Sequence, residues 1–119
     1  MDPKSPRWLD HIAEAGEFII EMTADATAEQ FMADRQLRLA VERSFEIIGE
    51  ALRRLERSDP PTASRIAGYR FAIDFRNRLV HGYDDIDHLY VWLAIRESLP
   101  GLLADVAKLL DEADRDEAT

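Results

Sequence analysis

The chain has 119 residues, of which 46% are apolar and 33% are charged, a composition typical of one folded domain rather than of a disordered chain. It contains no cysteine, which excludes disulfides, thiolate zinc sites and cysteine nucleophiles. The N-terminal "MDPKSPRWLD" lacks the apolar segment of a signal peptide, and no apolar run is long enough to span a membrane. We therefore expect a cytoplasmic protein without a membrane partner.

Two amphipathic segments open the chain. Ser5 followed by Pro6 predicts a helix with Ser5 as its N-cap and proline in its first turn. Apolar residues at three- and four-residue spacing carry this helix to about Thr23. The sequence "TAEQ" at 27–30 has the capping-box pattern and predicts a second, short helix. The apolar positions of the first helix are Trp8, Ile12, Ala15, Ile19 and Met22.

A longer helix follows, for which Asp34 is the predicted N-cap. It should end at "SDPP", residues 58–61, because proline cannot continue a helix and restrains the residue before it. Six apolar residues form a continuous stripe along it: Leu37, Val41, Phe45, Ile48, Leu52 and Leu55.

The second half of the chain predicts further helices. One runs from about Gly68 to His81, with Gly82 suited to the left-handed position after its end. Asp87 should cap the next helix, and Pro100 should start the last one. No segment shows the alternation of a strand.

The fold class predicted from these elements is an all-α antiparallel bundle of four to five helices. Residues 1–110 should form the helical domain. The acidic residues 111–119, "DEADRDEAT", should form a flexible C-terminal tail.

Charge is distributed unevenly. The net charge of −9 argues against general nucleic-acid binding, which normally requires a basic surface. Residues 65–78, however, hold Arg65, Arg70, Arg76 and Arg78 against one acid. Such a strip can attract a phosphate backbone locally, although arginines on a solvated helix face would give the same pattern.

The segment "FRNRLVHGYDDID", residues 75–87, has the most unusual composition. Asn77 and His81 lie four positions apart and share one stripe of a helix. Arg76 lies five positions from His81, about 140° away around the axis at ~100° per residue. Two arrangements would bring Arg76 and His81 together: a loosened final helical turn, or a second copy of the helix across a two-fold axis.

These side chains suit metal-free cleavage of RNA. A neutral imidazole can accept the proton of a ribose 2′-hydroxyl, and an imidazolium can donate one to the leaving oxygen. Arginine can hold the phosphate, and Asn77 can orient either group by hydrogen bonding. Spacing alone nevertheless favours an ordinary helix end, with His81 complementing the helix dipole and Arg76 in solvent.

The sequence "RNRLVHGY" resembles the Arg-x4-His-x-Tyr motif of HepT-type toxins of the HEPN superfamily. The sequences "RWLDHI" and "ADRQLRLAVERSFEIIGEAL" also resemble that family's first and second helices, and the resemblance extends to about Leu110. It implies an all-α bundle that forms a homodimer and cuts RNA without a metal at a composite site. It also implies pairing with an MntA-type nucleotidyltransferase antitoxin that transfers AMP to the motif tyrosine.

Transferred to this sequence, the resemblance assigns the catalytic pair to Arg76 and His81, with Asn77 as the accompanying polar residue. Tyr83 matches the tyrosine that receives AMP. Arg70 and Arg78 are further candidates for binding the RNA substrate. No cofactor and no metal ligand are implied.

Other residues that could bind or react give weaker indications of function. His11, His81 and His88 lack the spacing of metal ligands. Trp8 and Trp92 fall within apolar stripes, so we expect core residues rather than base-stacking platforms. One face of the long helix carries three glutamates, Glu42, Glu46 and Glu50. One of these carboxylates could pair with an arginine near the cleft.

Two function classes follow. The leading one is a toxin ribonuclease of a type VII-like toxin–antitoxin system, leaving a 2′,3′-cyclic phosphate and neutralised by AMP transfer to Tyr83. The alternative is a non-catalytic HEPN module that docks a nucleotidyltransferase or a nucleotide. Intact Arg76, His81 and Tyr83 favour the first class.

Overall fold

The computed structural model describes residues 1–82 and 85–118, and the regular elements within these ranges are all helices. This confirms the predicted all-α fold class. The bounds are α1 Ser5–Thr23, α2 Ala28–Ala33, α3 Arg35–Ser58, α4 Pro60–Ala63, α5 Tyr69–His81, α6 His88–Leu93 and α7 Leu99–Ala118, with a π-helical turn at Ala94–Ser98 joining the last two.

The long helix α3 lies at the centre, with α1 on one side and α5 on the other, while α7 packs against α1. The predicted stripe of α3 is confirmed from Val41 to Leu55, and Leu37 is only partly buried. In α1, Leu9, Ile12 and Ile19 are fully buried, whereas Met22 is exposed. Burial of these stripes is the main stabilising contribution to such a bundle.

Side-chain caps define several helix starts as predicted. Thr27 and Gln30 form the capping box of α2. Asp34 accepts the Leu37 amide of α3 at 3.1 Å. Asp87 caps α6 by accepting two amides of its first turn. Each cap satisfies backbone donors that a helix leaves unpaired.

The prediction for the start of α1 is wrong in detail. Lys4, not Ser5, is the N-cap, and it makes no side-chain capping bond. Ser5 is instead buried inside the helix and donates its hydroxyl to Asp59 Oδ2 at 2.7 Å. A distant acceptor has therefore taken the hydroxyl that a local cap would have used.

Asp59, between α3 and α4, ties these helices to the N-terminus. It also accepts the Asp2 amide at 3.0 Å and the Thr62 hydroxyl at 2.6 Å. Burial raises the pKa of Asp59, but the hydrogen bonds from Thr62, the Asp2 amide and Ser5 together outweigh this effect and lower it to about 2.

The left-handed conformation predicted for Gly82 is found at Gly68 instead. Gly68, just before α5, has the left-handed conformation, with φ of 74°. Gly82 caps the C-terminus of α5 with φ of −137°, so the predicted left-handed ending is wrong. The Gly82 amide donates to the Arg78 carbonyl at 2.8 Å and thereby closes the last turn without that conformation.

Pro100 lies in the first turn of α7, as predicted, but no break precedes it, because α6 and α7 run on through the π-helical turn. The Leu99 amide donates to the Ala94 carbonyl five residues back, and this wider turn accommodates the missing N–H of proline. Arg96, within the turn, donates to the Thr23 and Ala26 carbonyls at 3.0 and 3.2 Å. It therefore closes the C-terminal end of α1.

The last helix continues past Leu110 to Ala118, so residues 111–118, predicted as a flexible tail, are helical. Within this part, Glu112 forms a two-bond ion pair with Arg65 at 2.6 and 2.9 Å. Asp105 accepts the Ala67 amide at 2.8 Å. These contacts join α7 to the segment before α5. No helix in residues 1–82 or 85–118 is long and apolar enough to cross a membrane.

Candidate active site

The position of Arg76 depends on a close crossing of α5 and α3. A Cβ atom added to Gly49 would lie 2.2 Å from Arg76 Cβ and 2.9 Å from the Ala72 carbonyl oxygen. Only glycine fits there without moving a helix. Gly49 is thus a positioning residue that the sequence pattern did not identify.

The Arg76 guanidinium is held by two neighbours. Its Nη2 lies 3.3 Å from Glu50 Oε2, and its Nη1 donates to Asn77 Oδ1 at 3.0 Å. Only 19% of its side chain is exposed. Arg76 is therefore not the solvated side chain of an ordinary helix end, and the Asn77 carbonyl oxygen accepts a hydrogen bond from it.

Glu50 also binds a second arginine. Its other oxygen, Oε1, accepts Arg54 Nε at 3.1 Å. One carboxylate therefore holds two guanidinium groups, Arg54 from its own helix and Arg76 from α5. Of the three glutamates considered for pairing with a cleft arginine, Glu50 is the one that meets Arg76.

These groups line a groove of about 390 Å³ whose floor is α3 and whose walls are α1 and α5. We call it the arginine groove. Four arginines and two glutamates surround it, although the chain as a whole carries −9. Its lining residues are Arg7, Trp8, His11, Arg43, Glu46, Ile47, Glu50, Ala51, Arg54, Arg76 and Val80.

Trp8 packs against the core but is only partly buried and also lines this groove, so the predicted core position is confirmed in part. The Arg54 and Arg7 guanidinium carbons lie 5.2 and 5.6 Å from its ring centroid. His11 meets its ring edge-on at 5.7 Å. Trp92, in contrast, is 9% exposed and packs on Phe31, as predicted.

His81 is the last residue of α5 and is exposed. Arg76 faces α3, and no hydrogen bond or ion pair among the described residues joins it to His81. This matches the angular offset expected of a straight helix, and the final turn is not loosened. Within one chain, the two residues thus lie on different sides of α5.

The remaining arginines of the basic strip point elsewhere and do not form one patch. Arg70 lies 3.8 Å from Glu56 and over the Tyr69 ring. Arg78 lies over the ring of Tyr90 at 5.4 Å, towards α6. Both are exposed but neither lines the arginine groove. The prediction for Tyr83 concerns a position outside the described residues.

A second depression adjoins the arginine groove at Arg43, Glu46 and Val80. There, burial raises the pKa of Glu42, while the nearby His88 and Arg38 lower it less strongly. No group of three or more histidine, aspartate or glutamate residues within the described ranges is arranged to hold a metal ion.

The sequence model of the family "Ribonuclease HepT-like" matches residues 12–109, a region that includes Gly49, Glu50, Arg76, Asn77 and His81. The chain belongs to the HepT-like ribonuclease family. The match confirms the family suggested by the Arg-x4-His motif. Arg7, Trp8 and His11, which line the arginine groove, precede the matched region.

Several curated proteins resemble this HepT-like chain. It is 33% identical to a "Putative RNase" of Caldanaerobacter subterraneus, over 92% of this chain and 97% of that protein. It is 33% identical to the "Probable ribonuclease HepT" of Thermococcus cleftensis, over 86% of this chain and 92% of that protein.

A longer relative is the "Gamma-glutamylcyclotransferase and putative RNase" of Methanocaldococcus jannaschii. The two sequences are 32% identical over 91% of this chain. The matched region covers only 48% of the longer protein. No solved structure gives a significant match.

Proposed function

We propose that this HepT-like protein is a metal-independent endoribonuclease that uses Arg76 and His81 and leaves a 2′,3′-cyclic phosphate. The observation that carries the proposal is the arrangement of Arg76, which is held by Glu50 and Asn77 at the edge of a groove with excess positive charge. A guanidinium fixed in this way can bind a phosphate without first losing conformational freedom.

In the proposed reaction, a neutral His81 imidazole accepts the proton of a ribose 2′-hydroxyl. The 2′-oxygen attacks phosphorus, and the bond to the 5′-oxygen of the next nucleotide breaks. An imidazolium donates the proton that this leaving oxygen needs. Arg76 stabilises the charge that builds on the non-bridging phosphate oxygens.

This chemistry favours a homodimer. One chain supplies one motif histidine, whereas the reaction needs both a base and an acid. Since Arg76 and His81 lie on different sides of α5, a two-fold axis beside this helix would let His81 of the partner subunit complete the site. We place both pairs in one shared cleft.

As a toxin of a type VII-like system, the protein would be neutralised in the cytoplasm by an MntA-type nucleotidyltransferase antitoxin. The proposed acceptor of AMP is the Tyr83 hydroxyl, two residues after His81. An added phosphate there would repel RNA and compete for arginine donors such as Arg78. We expect Tyr83→Phe to remain toxic and to escape this control.

The deciding experiment is cleavage of a single-stranded RNA by the purified protein with EDTA present. We expect a 2′,3′-cyclic phosphate product, loss of activity in Arg76→Ala and in His81→Ala, and normal activity in Lys108→Ala, an exposed cation on α7. Circular dichroism establishes that each variant is folded. Normal cleavage by His81→Ala, or abolition by EDTA, would refute the mechanism.

The remaining elements have separate tests. Sedimentation showing only monomer at micromolar concentration would refute the shared cleft. Mass spectrometry after incubation with the transferase and ATP should find AMP on wild type but not on Tyr83→Phe. A folded protein that binds RNA and the transferase but cuts nothing would favour the non-catalytic HEPN module.

A further inference from the structure

The charge of the arginine groove contrasts with its continuation along the same crevice. Past His11 and Ile47, which line both parts, the space between α1 and α3 opens into a groove of about 530 Å³. We call this part the acidic groove. It is lined by His11, Glu14, Ala15, Glu17, Phe18, Glu21, Ser44 and Ile47. An anion entering the crevice should therefore collect at the arginine end.

The arginine end also presents an aromatic ring next to fixed cations. Arg54 contacts Trp8 through its guanidinium and Glu50 through Nε, and Glu50 in turn holds Arg76. This chain of contacts links α1, α3 and α5 and sets Trp8 and Arg76 in one groove. The Arg54 side chain is 53% exposed, so its guanidinium can turn towards a ligand.

We propose that the arginine groove is the subsite for the nucleotide adjoining the cleaved phosphate of single-stranded RNA. The base of this nucleotide packs on Trp8. The cleaved phosphate that adjoins it is bound by Arg54 and Arg76. The proposal rests on the proposed ribonuclease function and adds a residue that determines substrate class. The volume of about 390 Å³ falls within the ~300–1,000 Å³ range of small-ligand sites.

The choice of single-stranded RNA follows from the combination of groups. Aromatic rings bind bases whose faces are free, and arginines bind the backbone that connects them. A paired base has no free face to offer Trp8. The base displaces a guanidinium from the indole face, and that cation becomes available to the phosphate.

Fluorescence quenching tests the contact with Trp8. His81→Ala protein, which should bind RNA without cutting it, is titrated with an eight-residue oligoadenylate. The same titration of a His81→Ala, Trp8→Phe variant isolates the Trp8 signal from that of Trp92, since the chain has two tryptophans. We expect saturable quenching that needs Trp8, with much weaker effects of AMP and of blunt-ended duplex RNA.

Affinity and kinetics give a second test with a matched control. Trp8→Leu should raise Kd and KM for the octamer by about tenfold, the lower part of the range for losing one stacked base, while kcat changes little. Phe18→Leu, which alters an exposed aromatic residue of the same helix in the acidic groove, should leave both constants unchanged.

The outcomes separate the subsite from the proposed function. Cleavage by wild type without quenching of Trp8, and with normal KM in Trp8→Leu, would overturn the subsite alone. Quenching that needs Trp8 in a protein that cuts no RNA would overturn the ribonuclease and leave the subsite. Equal quenching by AMP and by the octamer would identify a free-nucleotide site and overturn the assignment to RNA.

Discussion

The arginine and acidic grooves are two parts of one crevice along α1 and α3, to which α5 adds a wall at the arginine groove alone, and their charges are opposite. His11 and Ile47 mark the boundary between them. The groove near the start of α1 is lined by four arginines. The groove near the end of α1 is lined by Glu14, Glu17 and Glu21. A net charge of −9 therefore does not describe the surface that a ligand meets.

The helix contacts near the two grooves differ as well. This difference predicts the largest effect of a substitution on stability. Gly49→Ala should destabilise the protein by about 2–3 kcal/mol, the usual cost of overpacking, because the new methyl group meets Arg76 Cβ and the Ala72 backbone. Cleavage should fall with it, since Arg76 is displaced. Urea denaturation and an RNA cleavage assay would measure both effects.

Gly16→Ala, beside the acidic groove, is the matched control. The three atoms nearest its added Cβ would all belong to the Leu103 side chain, with Cδ2 at 2.3 Å. That side chain can change rotamer, and alanine favours a helix by up to ~1 kcal/mol over glycine. We expect a change within about 1 kcal/mol and unchanged cleavage. Equal destabilisation by both variants would contradict the comparison.

The anchors of α1 also differ between its ends. The arginine end is tied by Asp59, through Ser5, and the acidic end by Arg96, through the Thr23 carbonyl. Asp59→Asn should cost about 1.5–3 kcal/mol, the range for hydrogen bonds to a charged group. The free energy of unfolding, measured at neutral pH, would test this.

The contribution of Asp59 to the free energy of unfolding depends on pH. The folded pKa of Asp59, about 2, lies below its ordinary value of 3.8, so its contribution is present above pH 3.8 and is lost as pH falls towards 2. Wild type and Asp59→Asn should therefore converge in stability over this interval. A difference that persists undiminished at pH 2 would contradict the role of the carboxylate.

Glu50 and Glu17 form a matched pair of carboxylates, one in each groove. Glu50→Gln should lower kcat by about tenfold, because Arg76 loses its charged anchor. RNA affinity should not fall, because a negative charge leaves the groove. Glu17→Gln should change neither value. Loss of affinity in Glu50→Gln with normal kcat would show that Glu50 does not act by fixing Arg76.

Salt dependence gives the smallest expected effect. Arg54→Gln should reduce the slope of log Kd against log salt concentration by about 0.7 for single-stranded RNA, the value for one phosphate contact. Lys108→Gln, an exposed cation on the far helix α7, should leave the slope unchanged. The same loss of slope in both variants would indicate a general charge effect and not a defined groove.

Local patterns predicted the parts of this fold that local interactions determine. Asp34 and Asp87 cap helices because their side chains bond amides two or three residues away. The buried stripe of α3 follows from helical periodicity. Ser5 escaped prediction because its partner, Asp59, lies 54 positions along the chain.

The candidate site was predicted only in part for the same reason. The family motif supplied Arg76, Asn77 and His81, but a motif does not show what surrounds an arginine. Gly49 acts through a helix crossing that exists only after folding. Trp8 fits an apolar stripe by spacing, yet it lies at the edge of the stripe, where Arg54 of α3 and Arg7 of its own helix reach it.

The π-helical turn at Ala94–Ser98 sets the rotational phase of everything after it. A π turn closes over five residues where an α turn closes over four, and it carries the buried face of α6 on to Leu99 and Leu102. Inserting one further residue into the turn, which already holds one more than an α turn, would rotate α7 by ~100° about its axis. Leu102 would leave the core, and Glu112 would swing away from Arg65. This short stretch should therefore tolerate substitutions better than an insertion.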